Sequence, residues 1–125
     1  MPLRGRHILI VEDEPLIALD LAMAFQASGA SGTCATSNRH ALDIIAQSRP
    51  DACVLDMQLW DKTFSDEIAD ALRAAHIPFL IFTAFKHSHL GALAHLAKPA
   101  PATEAVKVME EYFQSHTVDK PARCE

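Results

Sequence analysis

Three short runs of uninterrupted apolar residues, each ending on a polar or charged residue, constrain this chain more than any other feature. Ile8-Leu9-Ile10-Val11 runs into Glu12-Asp13-Glu14-Pro15, Ala52-Cys53-Val54-Leu55 stops at Asp56, and Phe79-Leu80-Ile81-Phe82 stops at Thr83. Runs this short suit strands buried on both faces, as the inner strands of a parallel sheet are. Helical spacing fills the gaps between them. Pro15 fits the first turn of a helix, and acids there favour the helix dipole. That helix is predicted to run to Ser28, with Ile17, Leu21, Ala24 and Ser28 on one face and Gly29 closing it.

Weaker signals complete the alternation. Residues 32–36 read as an edge strand, and Asn38 as the cap of a second helix carrying Leu42, Ile45 and Ala46. A third helix carries Phe64, Ile68, Leu72 and Ala75, and His95-Leu96-Ala97 reads as a last strand ending at Lys98-Pro99. Pro101 starts a final helix with Ala102, Val106, Met109 and Phe113 toward the core. Ala105, Val108 and Tyr112 form a second stripe there, for which a covered surface and a homodimer face are both open. Strand and helix alternating in this way predict an α/β fold, a parallel sheet covered on both faces.

Composition narrows the function. The 125 residues fit one domain, 1–125, with a core over about 6–116 and a polar, frayed tail at 117–125. A net charge of −5 without a Lys/Arg cluster beyond Arg4 and Arg6 argues against nucleic acid as a partner. No apolar run approaches the roughly 20 residues of a membrane span, and MPLRGRHILIVEDE lacks a signal-peptide layout. Cys34, Cys53 and Cys124 are scattered and form no CxxC pair, so a reducing, cytoplasmic setting is the natural expectation. The opening MPLRGRH reads as a native start, so output is expected to pass through another protein.

In doubly covered sheets ligands bind outside the carboxyl ends of the strands. Here those ends carry Glu12-Asp13, Asp56, Thr83 and Lys98. Three clustered carboxylates repel one another, and a divalent cation with hard oxygen ligands, Mg²⁺ above all, resolves the conflict. A metal beside a free carboxylate, an ammonium and a hydroxyl suits phosphoryl transfer, because the positive groups neutralise the equatorial oxygens while the carboxylate attacks in line.

ILIVEDEP, VLDMQL, the Thr83-Ala84 pair and Lys98-Pro99, in that order at successive strand ends, resemble the response-regulator receiver domain of two-component signalling. The resemblance spans residues 6–116 and implies a five-stranded doubly wound, flavodoxin-like sheet of order 2-1-3-4-5. It implies Asp56 as the phosphoacceptor, Asp13 as a direct Mg²⁺ ligand, Glu12 assisting through water, and the backbone carbonyl of Gln58 completing the ligand set. Thr83 and Lys98 would each bind a phosphoryl oxygen, Thr83 would move on phosphorylation, and the Lys98–Pro99 bond would be cis. The phosphoryl group would come from a histidine kinase or phosphotransfer protein, and a downstream protein would read the result. Pro78-Phe79 and Phe82-Thr83-Ala84-Phe85 are also similar to a short-receiver subgroup of alphaproteobacteria, which usually has Gly where Ala84 stands.

Departures from the family pattern are informative. His95 stands at the switch position usually held by Tyr or Phe, and Ala100 where Phe is common. Only fourteen residues separate Thr83 from Lys98, so the fourth crossover helix is expected to be short, irregular or missing. An aspartyl-nucleophile phosphatase would need an acid where Gln58 stands, and a flavin or nucleotide carrier would not place Glu12-Asp13-Glu14 against phosphate. A degenerate receiver that docks partners without phosphate is the remaining alternative. Glu14 reads as support for the helix start, Cys53 as core, and His87 and His89 as solvated groups rather than zinc ligands. Trp60 fits a packing role on the third helix or a partner contact equally.

Overall fold

A computed structural model describes residues 2–57, 66–84 and 91–116. Gln58, Trp60, Phe64, His87, His89 and the expected tail lie outside the described residues. Five strands, β1 His7–Val11, β2 Ser31–Ala35, β3 Ala52–Leu55, β4 Phe79–Thr83 and β5 His95–Ala97, form one parallel sheet of order β2-β1-β3-β4-β5. Four helices are described: α1 Pro15–Ala27, α2 Asn38–Ser48, α3 Asp66–Ala74 and α4 Ala102–Ser115. The order is the one expected for a doubly wound sheet.

The apolar runs do what their lack of alternation requires. Ile8, Ile10, Val54, Leu80 and Phe82 face one cluster, where Leu21 and Phe25 of α1 and Val106, Met109 and Phe113 of α4 pack. Leu9, Val11, Cys53, Leu55, Phe79 and Ile81 face the other, against Ile45 of α2 and Ile68 and Leu72 of α3. Each fully buried side chain of this size contributes about 1.5–3 kcal/mol over leaving it in water.

Several local expectations shift. The core face of α1 is centred on Ala18, Leu21 and Phe25, with the expected Ile17 and Ala24 partly buried at its edge. That helix is apolar almost all round, so spacing alone did not orient it. Ser37, not Asn38, caps α2: its hydroxyl accepts the His40 N–H at 3.1 Å. Ala105 is fully buried, while Val108 and Tyr112 are partly buried against the core, so the second stripe of α4 is largely covered from within the chain.

Packing also starts before β1. Leu3 is fully buried, and the Arg6 guanidinium lies 4.0 Å over the Phe113 ring and 3.9 Å from Asp51. Gly29, at φ +92, lets the chain cross close to Arg4, where an added Cβ would come within 3.1 Å of the Arg4 Cα. Between β4 and β5, Ala84 and residues 91–94 contain no helix, and residues 85–90 lie outside the described residues.

Candidate functional site

Sheet register sets the site. Val11 pairs with Leu55 and Thr83 with Ala97, so the residues just beyond these strands emerge side by side at one edge. Backbone hydrogen bonds continue the ladder one step further. The Glu12 N–H donates to Ala35 at 3.0 Å, the Asp56 N–H to Val11 at 2.9 Å, and the Lys98 N–H to Thr83 at 2.9 Å. The side chains of Glu12, Asp56 and Lys98 therefore leave hydrogen-bonded strand ends.

Carboxylate oxygens of Glu12, Asp13 and Asp56 lie within 4.8 Å of one another. Glu12 is 2% exposed and Asp56 5%. Buried charge of one sign needs a counter-charge, and Lys98 provides it. Its Nζ is 2.7 Å from Glu12 Oε1 and 3.0 Å from Asp56 Oδ2. The other Glu12 oxygen, Oε2, accepts the Glu14 N–H at 3.1 Å. Glu14 occupies the N-cap position of α1 but makes no side-chain cap bond, so Glu12 satisfies that helix start instead. Thr83 is 4% exposed, and its hydroxyl oxygen is buried without a hydrogen-bond partner among the described residues. An unsatisfied buried hydroxyl costs about 1–3 kcal/mol, which a ligand oxygen at this spot would relieve.

Burial pushes the Glu12 carboxyl above its usual range; the Lys98 hydrogen bond offsets this in part, and the Asp56 charge adds to it. Burial pulls the Lys98 ammonium down, but hydrogen bonds to Glu12 and Asp56, and their charges, outweigh it and leave the group above 10.5. A cation whose folded pKa is raised stabilises the fold fully below its unfolded pKa and ceases to as pH climbs through the folded value. The wild-type melting temperature should therefore gain a downward step above about pH 10.5. Lys98→Met should lack that step; equal alkaline limbs in a thermal melt series would show that the ion pair does not stabilise the fold.

The sequence matches the family model of the response regulator receiver domain over residues 8–110. This chain belongs to that family.

Relatives of the receiver agree. It is 32% identical over 118 residues to sporulation initiation phosphotransferase F of Bacillus subtilis, covering 87% of this chain and 94% of that protein. It is 26% identical over 113 residues to the transcriptional regulatory protein PdtaR of Mycobacterium tuberculosis, covering 84% of this chain and 55% of that protein. The receiver spans about half the length of the first curated relatives it matches. Among solved structures, the receiver domain of sensor histidine kinase PA1611 from Pseudomonas aeruginosa superposes with a TM-score of 0.76 at 21% identity, over 88% of this chain and 98% of that one. That structure is described as having a magnesium ion coordinated in the active-site cleft.

The residues singled out from the receiver's sequence are thus largely gathered. Glu12, Asp13, Asp56, Thr83 and Lys98 share one end of the sheet, and the Lys98–Pro99 bond is cis. Gln58 lies outside the described residues. His95 sits two residues before Ala97 on the edge strand β5, paired with Ile81, with its side chain exposed. The contact that sequence reasoning missed is Glu12 to Lys98. Spacing along a chain gives no sign of which of two neighbouring acids an ammonium from another strand will meet. No helix of the described residues is long and apolar enough to cross a membrane.

Proposed function

We propose that this receiver accepts a phosphoryl group on Asp56, with Mg²⁺, from a phosphohistidine of a kinase or phosphotransfer protein, and that a downstream protein reads the phosphorylated form. The carrying observation is the meeting of one buried carboxylate with two further acids and an ammonium, at the sheet end where the buried Thr83 hydroxyl has no hydrogen-bond partner among the described residues. Hard oxygen donors this close suit Mg²⁺, with Asp13, Asp56 and the Gln58 carbonyl as ligands and Glu12 assisting through water. When bound, the ion supplies positive charge beside the phosphoryl oxygens.

The chain's own groups do the rest. An Asp56 oxygen forms the new O–P bond as the P–N bond of the donor breaks, and the leaving imidazole nitrogen keeps the electron pair. Lys98, already 3.0 Å from Asp56, turns to a phosphoryl oxygen once the Asp56 charge is engaged. The Thr83 hydroxyl donates to another, satisfying a buried group that has no partner among the described residues. A shift of Thr83 pulls on the backbone that bonds Lys98, with His95 three residues earlier on the same strand as the switch partner. On this reading the domain is a signalling phosphoacceptor rather than a metabolic enzyme.

The test is intact mass after incubation with acetyl phosphate. One phosphoryl group should be gained with Mg²⁺ and none with chelator. No gain under either condition would favour the phosphate-independent docking module. A parallel melt reports the metal: Mg²⁺ at roughly tenfold excess over its Kd should stabilise by about 1.4 kcal/mol. Asp13→Ala should remove that shift, and its survival would place the ion elsewhere.

A further inference from the structure

We propose that the cleft beside the amino ends of β4 and β5 binds a small organic anion, an aromatic carboxylate whose ring lies against Tyr112 while its carboxylate meets Arg73 and His76. The cleft has a volume of about 450 Å³, within the range of small-molecule sites. Pro78, Phe79 and Leu93 supply apolar lining, Tyr112 borders it from α4, and Arg73 and His76 bring side-chain N–H groups from the end of α3. No acid stands among its lining residues, as far as the described residues go. The Tyr112 ring is held in place before any ligand arrives. It stacks on His116, with centroids 4.1 Å apart, and meets the Phe113 ring edge-on at 5.1 Å. A wall fixed in advance loses little freedom on binding.

Two backbone choices favour a built site over a gap between elements. α3 ends in a Schellman cap: the Ile77 N–H donates to Leu72 at 2.9 Å and the His76 N–H to Arg73 at 3.1 Å. His76 thereby takes the left-handed position of the cap, at φ 59, where glycine is usual because a Cβ is strained there. A side chain kept where none is cheaper points to a role for that side chain, and His76 lines the cleft. Gly91 makes the reverse choice. At φ +97 it has no Cβ, and one placed there would come within 3.2 Å of Arg73 Cδ and 3.3 Å of Cγ. The Arg73 stem can therefore lie against the backbone, which keeps the guanidinium at the edge of the cleft. Asp70 is 3.5 Å from Arg73, but the two side chains are 68% and 43% exposed. Such a pair is weak, and the five-donor fork still suits a second carboxylate. An inorganic anion would leave the apolar lining unused, and a neutral ring would leave the guanidinium unused. An aromatic carboxylate uses both. The cleft sits at the opposite end of β4 from Thr83, so it is independent of the role of Asp56.

The experiment titrates the isotope-labelled full chain with benzoate, naphthoate and indoleacetate, beside acetate and neutral naphthamide, and follows backbone amide shifts. At least one aromatic carboxylate should give saturable shifts that are largest at His76, Gly91 and Leu93. Naphthamide and acetate should bind about tenfold more weakly or worse, the first for want of the charged hydrogen bond and the second for want of a ring. Arg73→Gln should weaken the best carboxylate by about tenfold as well. His76→Gly should weaken it several-fold while the melting temperature stays at or above that of wild type, because glycine relieves the left-handed strain. A merely structural His76 would move the melt and leave the affinity alone. The absence of saturable shifts from all three aromatic carboxylates would overturn the proposal. So would naphthamide binding as tightly as naphthoate, shifts centred on Asp56 instead, or unchanged affinity in either variant.

Discussion

Asp56→Asn is expected to end phosphoryl acceptance at the receiver while leaving its fold in place. The carboxamide keeps the shape of the side chain but carries no anionic oxygen to attack phosphorus. What holds the position does not depend on that charge: the residue 56 N–H still bonds Val11, and Lys98 keeps Glu12 at 2.7 Å. Replacing Asp56 also removes one of three mutually repelling acids, so the metal-free melting temperature should not fall by more than a few degrees. Intact mass and a thermal melt on the same sample separate the two effects. A variant that gained a phosphoryl group at the wild-type rate would show that the nucleophile lies elsewhere. One that unfolded would show that the Lys98–Asp56 pair is structural first.

Phe25→Ala should be among the most damaging single changes to the fold outside the site. Phe25 is fully buried in the cluster that joins α1 and α4 to one face of the sheet. Truncating such a ring typically costs about 3–5 kcal/mol, lost transfer energy plus the cavity left behind. Small domains have only about 5–15 kcal/mol in all, so the urea midpoint should drop by about a fifth or more. Met23→Ala, two residues earlier on the same helix but 59% exposed, should lower stability by no more than about 0.5 kcal/mol. Equal costs at the two positions would mean that α1 is rotated from the orientation described.

That contrast also explains what could be read from sequence. The inner strands announce themselves because both faces of the sheet are covered, so Ile8 to Val11 and Phe79 to Phe82 carry no polar alternation. Their ends are equally plain, since Glu12, Asp56 and Thr83 break those runs abruptly. The orientation of α1 was not legible, because a helix with Leu16, Ile17, Leu19 and Leu21 in succession presents no single apolar side. The α2 cap slipped by one residue because Ser37 and Asn38 are both good cap residues, and only backbone geometry separates them. The burial of Ala105 was only half legible, since its stripe read equally as a covered surface or a homodimer face. A residue that small reads as neutral until a neighbouring helix comes close to it.

Glu12 holds two ends of the molecule with one carboxylate. One oxygen grips the ammonium that follows the last strand, and the other receives the amide that opens the first helix. Anything that draws Lys98 toward an incoming anion alters the electron density on the far oxygen, and so the polarisation of the Glu14 N–H. The Glu14 amide is thus a built-in spectroscopic reporter. Its proton resonance should register occupancy of the site without a label, one residue before the helix begins.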